Sequence, residues 1–326
     1  GVTTLTLGTL QLGNSNNGGL GSGQLNLVAG TLQPLGPGIT LSNNVLLTAN
    51  TLVGADSLTI TGELTGNTGG SRTLTNNLDT GKTLTLGRVN LTNDTGTTAR
   101  ALTITGSGDT TIAGPIANAP IGVTAGATPT LTVSSTGLTV FEGVNTYTGA
   151  TTIGSAAIAA GTLRVAAGSN ISVATTTVFS GTLDLQNGLQ AITGLTMGNG
   201  PLGTTSAVNL NGGALNLGGT VTYTTSANSG TATITSGTMN LLGNRTFTIN
   251  DSTQTDDEMV INAVIANGDA TARTVTKGGG GHLILNAANT YTGTTTMSNG
   301  ILTIRGSIAD AGATALTASR MVLDLS

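Results

Sequence analysis

The stretch that decides the fold reads NTYTGATTI at residues 145–153 and returns almost unchanged as NTYTGTTTM at residues 289–297. The two copies lie 289 − 145 = 144 residues apart, and similar strand-like segments precede them at residues 137–141 and 281–285. An internal repeat is typical of architectures built by stacking one structural unit. We expect a structural role for the repeated residues, which are Asn145, Thr146, Tyr147, Thr148, Gly149, Asn289, Thr290, Tyr291, Thr292 and Gly293.

Composition excludes several classes of protein. Of the 326 residues, 7% are charged and 2% aromatic, whereas a globular domain carries about a quarter charged residues. The 37% of hydrophobic residues is too high for a disordered chain. The net charge is −4 and the only lysines are Lys82 and Lys277, which argues against a nucleic-acid partner. No run reaches the roughly 18 apolar residues of a membrane-spanning helix. We expect a thin aliphatic core under a surface of Thr, Ser, Asn and Gly.

Short segments of alternating polar and apolar residues recur along the chain. Examples are TLQL at 9–12, KTLTL at 82–86, ALTI at 101–104 and RTFTI at 245–249. A period of two residues predicts strands with one buried face. Clusters of Gly, Asn and Ser between the segments predict turns.

The spacing of these segments predicts a parallel β-helix, also called a β-solenoid. A motif of Gly, any residue, Leu or Met, any residue and an aliphatic residue recurs at intervals of 30 − 8 = 22, 181 − 161 = 20 and 237 − 213 = 24 residues. One coil of a solenoid needs about that length, and a coil buries its apolar face only against its neighbours. We therefore predict an all-β fold, a single elongated solenoid over residues 1–326.

Two larger repeats are visible within this pattern. Residues 82–86 match 245–249 at an offset of 163, and the Ile-Ala-Asn at 116–118 matches 265–267 at 149. Loops of unequal length between matched coils explain why the offset shrinks towards 144. The larger repeats are predicted at about 82–165 and 245–304.

Residues 276–304 closely resemble the passenger-associated strand repeat of bacterial autotransporters, and residues 136–165 resemble it more loosely. The departures are four consecutive glycines at 278–281 and the lack of a Thr-Lys pair in the first copy. The resemblance implies a right-handed parallel β-helix that is exported and displayed at the surface of a Gram-negative-type bacterium. It implies no particular ligand.

Candidate residues for chemistry are few. His282 is the only histidine and is predicted to be an outward-facing strand residue. The acidic residues Asp251, Asp256, Asp257 and Glu258 are predicted to form a solvated loop; the alternatives are the carboxylates of a polysaccharide-degrading β-helix or a calcium site. The segment 106–109, Gly-Ser-Gly-Asp, is a further but unrepeated calcium-like motif. We predict no catalytic residue, metal or cofactor.

The aromatic residues are predicted to pack. Tyr147 and Tyr291 occupy matched positions, which favours packing at a corner of the coil over stacking on sugars. Phe141, Phe179 and Phe247 are predicted to fill the core.

Both ends of the chain carry strand patterns without a charged cap. Such edges favour head-to-tail stacking, a contact that propagates into a filament. The leading prediction is thus a non-catalytic extracellular structural or adhesive solenoid, displayed at the cell surface or assembled into a fibre, with itself or cell-surface glycans and proteins as partners. The alternatives are a secreted polysaccharide-degrading enzyme and a fragment of a longer adhesin passenger. The predicted assembly residues are Leu5, Leu7, Leu10, Leu12, Val322, Leu323 and Leu325.

Overall fold

The chain is all-β over the part that the structure, a computed structural model, describes. The described residues are 1–13, 19–49, 51–186, 188–225, 229–309, 315–316 and 320–323. They form 39 short strands and contain no α-helix. The chain divides into two compact units, Gly1–Thr151 with Ala160–Ser172, and Thr152–Ala159 with Val173–Ser326.

In the first unit the strands form three rows, each a set of parallel strands that pair in succession. From β3 to β17 the chain visits rows a, b and c in a fixed order. Row a contains β1 (Thr3–Leu5), β3 (Leu25–Leu27), β6 (Val45–Leu47), β9 (Leu64–Gly66), β12 (Val89–Asn90) and β15 (Ile116–Ala117). Row b contains β2 (Thr9–Leu12), β4 (Thr31–Pro34), β7 (Thr51–Ala55), β10 (Arg72–Leu78), β13 (Ala101–Gly106) and β16 (Thr130–Ser135). Row c contains β5 (Ile39–Leu41), β8 (Leu58–Ile60), β11 (Thr83–Leu86), β14 (Asp109–Ile112), β17 (Leu138–Phe141) and β19 (Thr162–Val165).

The second unit repeats this arrangement, with its strands grouped here as rows d, e, f and g. From β20 to β31 the chain visits rows d, e and f in a fixed order, and a short row g follows; β18 (Thr151–Ile153) includes residues assigned to both units. Row d contains β20 (Thr176–Val178), β23 (Leu195–Gly198), β26 (Val221–Thr224), β29 (Arg245–Ile249), β32 (Val275–Gly278), β35 (Thr295–Met297) and β38 (Ala315–Leu316). Row e contains β21 (Gly181–Leu185), β24 (Thr204–Asn209), β27 (Ser229–Thr235), β30 (Met259–Ile261), β33 (His282–Leu285), β36 (Ile301–Ile304) and β39 (Arg320–Leu323). Row f contains β22 (Leu189–Ile192), β25 (Ala214–Leu217), β28 (Thr238–Leu241) and β31 (Val264–Asn267), and row g contains β34 (Ala288–Asn289) and β37 (Ser307–Ile308).

Parallel register stacks like residues on like residues. In row c, Leu84 is in register with Leu58, and the next residue, Thr85, is in register with Thr59. Because side chains alternate between the faces of a strand, the leucines form one buried column and the threonines one outward column. Leu58 and Leu84 are both 0% exposed and lie 84 − 58 = 26 residues apart, slightly more than the predicted spacing. The predicted alternation is confirmed.

The prediction for the three phenylalanines is correct for two of them. Phe141 and Phe247 are fully buried within strands of the two units. Phe179 was predicted to be core but is only partly buried. It follows β20, whose last residue Val178 takes the inward position, so the alternation turns the next side chain outward.

Candidate functional site

The two asparagines of the repeated motif tie their segments to an earlier part of the chain. The Asn145 side-chain oxygen accepts a hydrogen bond from the backbone amide of Ile116 at 2.7 Å, and Asn289 accepts one from Ile265 at 2.9 Å. Asn145 and Asn289 are 6% and 2% exposed. A buried amide needs an acceptor, and these side chains supply it where the strand ladder does not.

The two tyrosines of the motif are buried and satisfied in the same way. The Tyr147 hydroxyl lies 2.7 Å from Thr151 Oγ1, and the Tyr291 hydroxyl lies 2.7 Å from Thr295 Oγ1. Burial raises the pKa of Tyr147 to about 12, an effect that the bond to Thr151 partly offsets. Because both rings are buried, neither offers a face to a sugar.

Most of the remaining motif residues also contact earlier parts of the chain. The side-chain amide of Asn118 donates to Thr148 Oγ1 at 2.9 Å, and that of Asn267 donates to Thr292 Oγ1 at 2.9 Å. A Cβ atom on Gly149 would clash with the carbonyl of Pro129, and one on Gly293 with that of Arg273, so backbone packing requires glycine at both positions. Thr146 and Thr290 are exposed.

The residues predicted to form assembly ends are described only in part. Leu5 and Leu12 are buried, Leu10 is half-buried and Leu7 is 81% exposed. Val322 and Leu323 belong to β39, but their side chains lie outside what the structure describes. Leu325 lies outside the described residues.

The acidic residues predicted as a loop line a cleft in the second unit, which we call the His282 cleft. Its volume is about 340 Å³, and its lining consists of Asp251, Asp256, Asp257, Glu258, Gly280, Gly281, His282 and Ile301. The side chains therefore gather around the single histidine. Sequence reasoning treated the histidine and the acidic cluster separately, because 24 residues of chain separate His282 from Glu258.

Glu258 is a structural acceptor within this cleft. It is 1% exposed, and its two carboxylate oxygens accept hydrogen bonds from the backbone amides of Ser252 at 3.0 Å and His282 at 2.7 Å. The prediction of a solvated loop is wrong for this residue, because its carboxylate satisfies two amides at the cleft floor. Asp251 and Asp256 are exposed, as predicted.

His282 lies between the carboxylate of Asp257 and the hydroxyl of Thr303. Its Nδ1 is 3.0 Å from Asp257 Oδ1 and 3.1 Å from the carbonyl oxygen of Asp256, and its Nε2 is 2.8 Å from Thr303 Oγ1. An imidazole oriented by a carboxylate and bonded to a hydroxyl has the geometry of a proton-transfer relay. Thr303 is 5% exposed, so its hydroxyl is largely covered. Sequence reasoning missed Thr303, because only strand stacking brings it beside His282.

A buried lysine lies in the strand before this cleft. Lys277 is 0% exposed, and its Nζ donates to the backbone carbonyls of Gly278, Gly279 and Asn299 at 3.0, 2.8 and 3.0 Å. Burial lowers the pKa of Lys277 to about 8, and the charge of Glu258 partly offsets that effect. The ammonium group therefore links the turn after β32 to the turn before β36.

The part of the chain that the structure describes was predicted to hold no metal site, apart from the calcium alternatives named above. No group of three or more His, Cys, Asp or Glu side chains converges there in a way that would hold a metal ion. Asp109, in the calcium-like motif, accepts a hydrogen bond from the backbone amide of Leu138 at 2.8 Å. The same part of the chain contains no helix of sufficient length and apolarity to cross a membrane.

Comparison with protein-family models, curated proteins and solved structures found no match for this chain. The resemblance to the autotransporter repeat therefore stays a prediction based on its own residues.

Proposed function

We propose that each unit is a right-handed β-solenoid and that the chain is one continuous solenoid. In support, the described strands return to each row in a fixed order. Neighbouring strands within a row pair in parallel, as β11 does with β8 and β14. Connections between parallel strands of one sheet are almost always right-handed. Three strands followed by a return to the first row correspond to one coil.

The proposed function is a non-catalytic structural and adhesive scaffold outside the cell, displayed on the surface of a Gram-negative-type bacterium as the repeat resemblance implies. The observation that carries it is the use of the repeated motif. The polar groups of Asn145 and Tyr147 form hydrogen bonds with neighbouring strands and loops, and those of Asn289 and Tyr291 do the same. The repeated motif residues therefore stabilise the fold. The outward-facing Thr and Asn side chains are the groups that could contact a partner.

A panel of purified polysaccharides tests this function. The chain is incubated with each polysaccharide, and both retention of the chain and release of new reducing ends are measured. We expect retention on at least one polysaccharide without cleavage. Cleavage of any member would overturn the non-catalytic assignment, and failure to bind any polysaccharide or any intact bacterial or animal cell type tested would overturn the adhesive one.

End-to-end stacking into a fibre is a separate part of the proposal. Electron microscopy of the purified chain over a dilution series at neutral pH tests it. Filaments that shorten on dilution would support stacking, because a heterologous contact propagates with concentration. Single particles at every concentration would contradict it.

The His282 cleft favours a second candidate, a secreted polysaccharide-degrading enzyme. The relay from Asp257 through His282 to Thr303 is the observation behind it. If the panel reveals cleavage, Asp257→Asn and His282→Gln are expected to abolish it, while Glu142→Gln, at an exposed acidic position outside the cleft, leaves it unchanged. Cleavage that survives the first two substitutions would exclude this cleft as the active site.

A further inference from the structure

A groove in row a of the first unit, which we call the polar groove, is lined mostly by hydrogen-bonding side chains. Its volume is about 390 Å³, and it extends across the segments that contain or flank β3, β6, β9 and β12. The groove therefore crosses successive strands instead of following one. Its polar lining includes Gln24, Ser42, Asn44, Glu63, Thr65 and Asn93.

The floor of the polar groove is held in place by a buried asparagine. Asn90 is 0% exposed, and its side-chain amide donates to Glu63 Oε2 at 3.1 Å and to Thr65 Oγ1 at 3.0 Å. Its side-chain oxygen accepts a hydrogen bond from Arg88 Nε at 2.9 Å. These bonds fix Glu63 and Thr65 before any ligand arrives, which reduces the entropy lost on binding.

The same bonds determine what the groove offers a ligand. Thr65 Oγ1 accepts from Asn90, so its hydroxyl proton is left to donate. Gln24 also lines the groove and is exposed, and its side-chain amide can both donate and accept. The groove thus offers a ligand both donors and acceptors.

The charge of the groove is close to balanced. Glu63 is the one carboxylate in its lining, and Glu63 Oε1 lies 3.7 Å from Arg88 Nε. An anionic ligand would find no basic side chain in the lining, and Glu63 already has Arg88 beside it. Hydroxyl groups, which both donate and accept, match this mixed lining best.

We propose that the polar groove binds a segment of neutral polysaccharide, with its sugar hydroxyls bonded to Gln24, Thr65 and Glu63. The assignment rests on the adhesive function proposed above and names its ligand class and its site. A linear chain of sugars fits a groove that crosses successive strands, because equivalent side chains recur from one strand to the next at the inter-strand distance of about 4.8 Å.

Titration calorimetry with four neutral hexasaccharides tests the proposal: maltohexaose, cellohexaose, mannohexaose and chitohexaose. A heparin hexasaccharide serves as the charged comparator. We expect saturable binding of at least one neutral probe and none of the heparin probe. Thr65→Val, which removes the hydroxyl at nearly constant volume, and Gln24→Ala, at an exposed position that does not threaten folding, should each weaken binding at least fivefold.

The control is Thr85→Val, a half-buried threonine in row c that does not line the groove, which should bind like the wild type. Equal unfolding midpoints for the three variants would show that weaker binding is not a loss of fold. Absence of saturable binding by every neutral probe would overturn the proposal, as would affinities unchanged in both groove variants.

These results are distinguishable from failure of the adhesive function. Retention on polysaccharides or cells that persists in the groove variants would place adhesion elsewhere on the chain and overturn the groove alone. Loss of retention on cells by the same variants would identify a cell-surface glycan as the source of the ligand. Neither free heparin nor salt should restore this retention. Loss on purified polysaccharide only would identify a free polymer.

Discussion

The side-chain oxygen of Asn289 accepts a hydrogen bond from the backbone amide of Ile265, 24 residues earlier in the chain. Asn145 makes the same bond with Ile116. Ile116 and Ile265 are the residues that the sequence pairs in its larger repeat. The repeat is therefore a repeat of contacts, since each copy preserves the asparagine together with the amide that it satisfies.

Substitution of Asn289 by alanine should destabilise the second unit. The amide of Ile265 would lose its acceptor in a buried site, which costs about 1–3 kcal/mol. Urea denaturation monitored by circular dichroism measures the change. Thr290→Ala, at the exposed neighbouring position, is the control and should change the unfolding free energy by less than about 0.5 kcal/mol. Equal effects of the two substitutions would contradict a specific role for the asparagine.

The hydroxyl pair of Tyr147 and Thr151 should behave as a coupled unit. Thr151 is 1% exposed, so Tyr147→Phe leaves its hydroxyl in a buried site without this partner. We expect each of Tyr147→Phe and Thr151→Val to cost about 1–2 kcal/mol, and the double variant to cost about 1 kcal/mol less than their sum. A double-mutant cycle in urea measures the coupling. Strict additivity would show that the pair contributes no coupling energy.

Alkaline pH should destabilise the chain through Tyr147. Burial raises the pKa of its hydroxyl to about 12 in the folded protein, above the ordinary value of 10.0. The unfolded chain therefore loses this proton first, and stability present below pH 10 is lost as the pH rises towards 12. The loss amounts to about 3 kcal/mol at one pKa unit per 1.36 kcal/mol. Unfolding free energies of wild type and Tyr147→Phe across this range measure it, and parallel curves would refute the assignment.

Lys277 should have the opposite effect in a lower pH window. Its pKa of about 8 in the folded protein lies below the ordinary value of 10.5, mainly because the ammonium group is buried. Between these values the unfolded chain binds more protons, so stability rises with pH. The gain is about 3 kcal/mol at most. Lys277→Met should remove this rise, and the difference in slope between the two proteins is the measurement. A wild-type curve no steeper than that of the variant would contradict the assignment.

The sequence by itself determined that the described chain is all-β and built of stacked parallel strands. Alternation of Thr with Leu in segments such as 83–86 specifies strands with one buried face, and a period close to one coil specifies parallel stacking. Matched positions in two copies pointed to a shared contact for the repeated Asn and Tyr, and both copies of each are buried with equivalent hydrogen bonds. Their structural role stays a prediction. Phe179 was predicted wrongly, since hydrophobicity alone does not say which residue of an apolar pair takes the inward position.

Only the tertiary structure decided which distant residues meet. Stacking brings Thr303 to His282, places Glu258 under two backbone amides, and buries Lys277 among three carbonyls. It also aligns Glu63 and Thr65 around Asn90 at the polar groove. The physical reason is the register between strands. Sequence spacing shows that the strands stack. Because the loops between strands vary in length, the spacing does not show which side chains become neighbours on adjacent strands.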